Sequence, residues 1–265
     1  MLLTIDAGNT NTVIGLYEPA MPARAQAGDG LVEHWRLKTD ADRTADEYAV
    51  MIRSFLDTVG YDMDEEVTGV AICSGVPRVL SNLRLMAARY FTFSPVVIEP
   101  GIKTGMPILY DNPREVGADR IANAVAAFDL FGGPTIVVDF GTGTNFDIIS
   151  ANGEFLGGAI APGIEISMDA LFGRAAALRA VELVEPRNVI GKNTVESLQS
   201  GILYGFTSLI DGMVRRFQHE LGGGRVISTG GLSHVIAGVS ETVERDEPFL
   251  TLHGLRLVHG KNRDA

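Results

Sequence analysis

The sequence predicts an α/β protein made of a duplicated unit, each copy a mixed β-sheet flanked by helices. Two observations carry this reading. Residues 2–17 (Leu-Leu-Thr-Ile-Asp-Ala-Gly-Asn-Thr-Asn-Thr-Val-Ile-Gly-Leu-Tyr) and 135–147 (Thr-Ile-Val-Val-Asp-Phe-Gly-Thr-Gly-Thr-Asn-Phe-Asp) share one grammar: apolar strand, Asp, spacer, Gly, Asn/Thr-rich turn, returning strand. Internal repetition of this kind organises a chain before any single element does. After each hairpin, short apolar runs alternate with stretches at helical spacing. The 265 residues, 46% of them hydrophobic and 31 of them glycine, suffice for two moderate domains, expected at residues 1–116 and 117–265.

The turn of each hairpin carries the chemistry. Gly141 and Gly143 leave no side chain in the way and are free to take φ > 0, so backbone N–H groups can face an anion. Thr142 and Thr144 add hydroxyl donors, and Asp139 stands at the strand end where a cation would sit beside that anion. Taken alone, the segment is equally an ordinary glycine hairpin. Two such hairpins facing each other across a cleft could hold a nucleoside triphosphate and its metal. Neither matches the phosphate loop that ends in Gly-Lys-Ser/Thr, nor the Gly-x-Gly-x-x-Gly dinucleotide fingerprint.

Composition narrows the classes further. A net charge of −11 with no run of Lys or Arg argues against a nucleic-acid partner. Cys73 is the only cysteine, which rules out an intrachain disulfide and suits a reducing compartment. It lies in an apolar run and reads as a small core residue rather than a nucleophile. The chain enters a strand at once, with no basic leader, and no apolar run reaches membrane-spanning length. A cytoplasmic protein without a membrane partner is expected.

In chain order, residues 19–30, rich in Pro, Ala and Gly, read as an enlarged hairpin loop, and residues 31–38 as a third strand. Thr44 and Glu47 form a capping box before a helix whose apolar face is Tyr48, Met51, Ile52, Phe55, Leu56 and Val59, with Gly60 as its stop. A strand at 67–74, a helix at 79–91 and a strand at 95–98 follow. Residues 101–116 form a long loop holding Tyr110, and long ordered loops are often functional. It delivers Gly117-Ala118-Asp119-Arg120 to the start of a helix that runs to about Leu130. From position alone, Asp119 reads as a first-turn carboxylate complementing the helix dipole, and Arg120 reads equally as a site residue or a surface residue. In the second half a third strand is expected at 153–160, helices at 165–172 and 175–184, and a long helix at 195–221 capped by Thr194. A strand at 225–228, a sharp Thr229-Gly230-Gly231 turn into a helix, a strand at 249–252 and a last helix complete the chain.

These residues resemble a known family. Duplicated units with Asp-x-Gly hairpins and a late Gly-Gly turn resemble the superfamily of actin, sugar kinases and heat-shock chaperone ATPases, whose fold is ribonuclease-H-like. Within it the chain is similar, over essentially its whole length, to the type III pantothenate kinases. The resemblance rests on Asp6-Ala7-Gly8-Asn9-Thr10, Gly117-Ala118-Asp119-Arg120, Asp139-Phe140-Gly141-Thr142, residues 157–163 (Gly-Gly-Ala-Ile-Ala-Pro-Gly), Asn193-Thr194 with Gln199-Ser200-Gly201, and Thr229-Gly230-Gly231. Each is weak alone; together and in this order they are specific.

The resemblance implies mixed five-stranded sheets with a nucleotide cleft between the halves, and an ATP-dependent transferase acting on the alcohol group of pantothenate in coenzyme A biosynthesis. It implies that Asp6, Ala7, Gly8, Asn9, Thr10, Asn11, Thr12, Val13 and Thr142 contact ATP, with Asp6 near Mg²⁺ and its contact with the ion indirect. It implies that Asp119 is the catalytic base, that Tyr110, Gly117, Ala118, Asp119, Arg120 and Thr194 form the pantothenate pocket, and that Asp139 binds a monovalent cation, K⁺ or NH₄⁺. It also implies a homodimer. Residues 19–30 form a longer loop than the family pattern leads one to expect, and Gly143 and Asn145 stand where members vary. Rival readings are another small-molecule kinase of the superfamily or a non-catalytic accessory relative; the second should have lost Asp6, Asp119 or Asp139, and all three are present.

Overall fold

A computed structural model describes residues 1–18, 26–175 and 178–263. Residues 19–25 of the expected enlarged loop, and 176–177 of an expected helix, lie outside the described residues. The chain divides into two compact units, residues 1–130 with 249–265, and residues 131–248. This groups the end of the chain with the first unit, whereas the sequence suggested halves of 1–116 and 117–265.

The first unit holds strands β1 (Leu2–Ala7), β2 (Asn11–Tyr17), β3 (Leu31–Lys38), β4 (Gly69–Ser74) and β5 (Val96–Val97) in the order β3-β2-β1-β4-β5. β1 to β3 run antiparallel, and β4 and β5 continue the sheet in parallel. Helix α1 (Ala45–Thr58) begins at the expected capping box: Thr44 Oγ1 accepts from Glu47 N at 3.3 Å and Glu47 Oε2 from Thr44 N at 2.7 Å. Its buried face is Ala45, Tyr48, Ala49, Ile52 and Leu56, the spacing that puts side chains on one stripe. Helices α2 (Pro77–Tyr90) and α7 (Leu250–Asn262) pack on this sheet, and α3 (Ala118–Phe131) packs against α7. The core gathers Leu3, Ile5, Ile14, Leu16, Tyr48, Ile52, Val70, Ile72 and Leu83.

The second unit holds β6 (Thr135–Phe140), β7 (Gly143–Ile149), β8 (Phe155–Pro162), β9 (Arg225–Gly230) and β10 (Arg245–Asp246), in the order β8-β7-β6-β9-β10. Three antiparallel strands again give way to two parallel ones. β1 and β6 share the same run of four buried residues, a half-buried Asp and a buried residue. Around the sheet lie α4 (Ile164–Arg174), α5 (Thr194–Leu221) and α6 (Ser233–Ala237). Among the described residues no helix is long and apolar enough to cross a membrane.

Three local expectations change. The helix expected at 175–184 does not form over 178–184. Pro186 follows closely, and α5 holds the segment from the side: Gln199 Nε2 donates to Glu182 O at 3.1 Å and Ser200 Oγ to Val189 O at 2.5 Å. The strand expected at 249–252 is instead the first turn of α7, and the edge strand lies earlier, at Arg245–Asp246. Its Leu and Phe run fits either period, and Leu252, Leu255 and Val258 continue it at helical spacing. The cap of α5 is Asn193, whose side chain accepts from Glu196 N at 2.9 Å, and Thr194 is the first helical residue.

Helix α7 packs unusually close. A Cβ on Gly254 would stand 2.0 Å from Ala122 O, so only glycine lets the backbones of α7 and α3 meet. Beside it His253, 2% exposed, faces Asp129 Oδ2 at 3.4 Å. Burial first, then the Arg256 cation, hold its pKa below the ordinary histidine value, against the pull of Asp129. His259 is likewise lowered, by burial and then Arg263. Both rings fold as neutral imidazoles, so their stabilising contribution is whole above an unfolded pKa of about 6.5 and is lost as pH falls below it. We expect the Tm to drop between about pH 7 and 5.5, and the slope to flatten in His253→Gln with His259→Gln. Parallel Tm–pH curves for parent and variant would count against this.

Candidate active site

Asp6 is the penultimate residue of β1, half-buried, and paired across the sheet with Val13 of β2 and Cys73 of β4. The carboxyl ends of β1 and parallel β4 therefore meet here, the edge at which open α/β sheets bind ligands. Cys73 Sγ donates to Asp6 Oδ1 at 3.3 Å. Burial, then the negative charges of Asp6 and Asp119, push that thiol well above its ordinary pKa, so it stays a protonated donor. The charge of Asp119 thus bears on the thiol that touches Asp6. Next along β4, Ser74 Oγ donates to Ala7 O at 2.8 Å.

The first loop closes through Gly8 N, which donates to Asn11 O at 3.0 Å, and Thr39 N, which donates to Thr10 O at 2.9 Å. Asn9, Thr10 and Asn11 are exposed and Gly8 and Val13 half-buried. Ala7 and Thr12 are buried, and the Thr12 hydroxyl is 2.8 Å from that of Thr39. Asn9 to Asn11 are thus the side chains this loop presents, while Ala7 and Thr12 shape it from beneath.

Asp119 lies in the first turn of α3, half-buried, with Oδ1 accepting from Arg120 N at 2.9 Å. A carboxylate here complements the helix dipole, and that bond also fixes its orientation. A Cβ on Gly117 would come within 2.5 Å of Asp119 Oδ1. Glycine two residues earlier is what lets the carboxylate fold back over the helix start. Arg120 is not a surface residue: it is 7% exposed, its stem beside Gly117. Ala118 and Tyr110 are half-buried, Tyr110 in the loop that leads to this turn.

In the second unit Asp139 holds the place in β6 that Asp6 holds in β1, paired with Asn145 and Thr229. Gly141 N donates to Gly143 O at 3.0 Å, and Gly141 and Thr142 are exposed at the turn. Neither Gly141 nor Gly143 takes positive φ, and Thr144 is buried. The glycines that the turn cannot spare lie elsewhere. A Cβ on Gly163, the cap of α4, would stand 2.2 Å from Thr142 O. Gly230, at φ +98°, would place one 2.6 Å from Phe140 O and 2.7 Å from Asp139 Oδ1. The start of α4 and the end of β9 therefore close on the Asp139–Thr142 turn. Thr194 is exposed at the start of α5, in a recess of about 460 Å³ shared with Gly191, Lys192, Asn193 and Ser197.

Cys73, Gly163 and Gly230 are the neighbours that sequence reading did not assign to a site. The repeat held a clue to the first: Cys73 sits opposite Asp6 as Thr229 sits opposite Asp139. The other two follow from backbone approaches that no spacing reveals.

The chain matches the type III pantothenate kinase family over residues 2–216. It is 54% identical over 270 residues to a type III pantothenate kinase of Streptomyces avermitilis, covering 99% of this chain and 98% of the relative. It is 56% identical over 264 residues to that of Acidothermus cellulolyticus, covering 99% of each. Its fold resembles the activator of 2-hydroxyisocaproyl-CoA dehydratase from Clostridium difficile, a structure with bound ADPNP, at a TM-score of 0.57 and 10% identity, covering 100% of this chain and 97% of that one.

Gly230→Ala should lower unfolding stability by about 1–3 kcal/mol in urea melts, through backbone strain and contact with Phe140 O. Gly231→Ala, whose Cβ would meet nothing within 4 Å, should change it by less than about 0.5 kcal/mol. Equal effects would mean that close approach does not explain the glycine at 230.

Proposed function

The chain belongs to the type III pantothenate kinase family, and from that premise we propose that it transfers the γ-phosphoryl group of ATP to the primary hydroxyl of pantothenate, with Asp119 as general base. The observation that carries the residue roles is that Asp6 and Asp119 bear on the same buried thiol. A carboxylate for the acceptor thereby lies near the loop that offers donors to phosphate.

Phosphoryl transfer passes through a loose transition state, so positioning and charge stabilisation dominate. Backbone and side chains of Asp6, Ala7, Gly8, Asn9, Thr10, Asn11, Thr12 and Val13 line the first loop, and Thr142 presents a hydroxyl on the second. Tyr110, Gly117, Ala118, Asp119 and Arg120 of the first unit receive pantothenate. Arg120 supplies positive charge beside Asp119, whose carboxylate takes the proton as the hydroxyl oxygen bonds to the γ-phosphorus. The bond from phosphorus to the β,γ-bridging oxygen breaks and ADP leaves.

Asp6 and Asp139 are hard oxygen ligands at strand ends, suited to Mg²⁺ and to K⁺ or NH₄⁺ respectively. Among the described residues no group of three His, Cys, Asp or Glu could hold a metal. A lone carboxylate fits Mg²⁺ because that ion keeps waters and takes substrate phosphate oxygens. Bound there, the cations would offset charge on the β- and γ-oxygens.

We assign a homodimer to the β8 face of the second unit. β8 is an edge strand, and Ile160 is 67% exposed on it, with Ile166 and Leu171 exposed on α4 and Ile190 80% exposed before α5. Exposed apolar side chains in such number favour a protein partner. The net charge of −11 leaves nucleic acid unsuited, and we place the reaction in the cytoplasm, away from membranes.

Purified protein with MgATP and pantothenate, with and without K⁺, should yield 4′-phosphopantothenate by mass detection; none in either mixture would end the reading. Asp119→Asn should keep the Tm and ATP binding and cut kcat by about 10²–10⁴. Parental turnover would remove Asp119 from the base role. Ile160→Glu should shift the mass in light scattering from dimer to monomer, and an unchanged mass would move the interface elsewhere.

A further inference from the structure

The last turn of α7 does not end free. Asn262 Nδ2 donates to Lys103 O at 2.9 Å, and Lys103 N donates to Asn262 Oδ1 at 3.3 Å. The same Nδ2 donates to Val258 O at 2.8 Å, which locks the amide to its own helix. One side chain thus satisfies both backbone groups of Lys103, as a neighbouring strand would. Two residues on, Gly105 has φ +76°, and a Cβ there would stand 2.9 Å from Lys261 Cε. Thr104 Oγ1 accepts from Met106 N at 3.2 Å and donates to Met106 O at 3.1 Å, and Met106 is buried.

The opposite end of α7 grips α3. Gly254 meets the Ala122 backbone, and Thr251 Oγ1 donates to Asn123 Oδ1 at 2.7 Å. One rigid helix therefore holds the chain on both sides of residues 107–121. Between those anchors lie Tyr110 and Gly117 to Arg120. Pinning one end of a loop to the helix that fixes its other end removes the backbone freedom that would blur the pocket.

We propose that Asn262 is a positioning residue for the acceptor pocket, acting through Lys103 on the loop that carries Tyr110 toward Asp119. This rests on the reading that Tyr110 and residues 117–120 receive pantothenate. Asn262 touches no substrate. It sets where the pocket's loop stands, so its loss should fall on acceptor binding and spare ATP.

The test is steady-state kinetics of the full chain with Asn262→Ala, Tyr110→Ala as a control, and hydrogen exchange of residues 101–112. The net value of a hydrogen bond or two predicts a KM for pantothenate raised about 3–10-fold, with the KM for ATP within about 2-fold of the parent. Exchange of 101–112 should quicken while that of β1 and β4 does not. A KM for pantothenate unchanged in Asn262→Ala but raised in Tyr110→Ala overturns the role of Asn262. So does a parallel rise of both KM values with faster exchange throughout, which is general loosening. If Tyr110→Ala itself leaves the KM for pantothenate unchanged, the reading of the pocket is what failed, and the role of Asn262 falls with it.

Discussion

The register of two six-residue strands governs this protein. β1 and β6 each bury four residues, expose an aspartate partly at the fifth, and bury the sixth. Each pairs with an antiparallel strand on one side and a parallel one on the other. A slip of one residue would turn Asp6 or Asp139 into the core and an apolar neighbour out toward the turn. The cost of burying an unpaired carboxylate, set against the gain of burying Ile5 or Val138, holds both strands in place. The two carboxylates thus stand near the ends of their strands because the core leaves them no other position.

Around each aspartate, absence of a side chain matters as much as presence. Gly117 makes room for the Asp119 carboxylate, Gly163 for the Thr142 carbonyl, and Gly230 for the Asp139 carboxylate. In each case a methyl group would displace a polar atom. Cys73 works from the other direction, as a buried thiol that donates to Asp6 without adding charge. Serine or threonine in this position would donate as well, and Thr229 holds the matching place beside Asp139.

Helix α7 shows how a distant part of the chain enters the first unit. Its glycine contact with α3, its buried His253 beside Asp129 and its clasp on Lys103 tie residues 249–262 to elements more than a hundred positions earlier. The strand expectation at 249–252 failed for the same reason. A short apolar run suits both periods, and here packing on β1, β4 and α3 selects the helix.

Residue order alone determined the duplicated unit, both hairpins, the capping box of α1 and a helix start within residues 117–120, because each follows from local periodicity, turn chemistry or capping. The family motifs, too, were legible as strings. Only the tertiary structure decided that Arg120 is buried, that Thr12 turns to Thr39, and that residues 178–184 stay irregular. It alone brought Cys73 to Asp6, and Gly163 and Gly230 to the second turn. These depend on groups meeting across tens of positions, where the energy of contact and burial outweighs local preference.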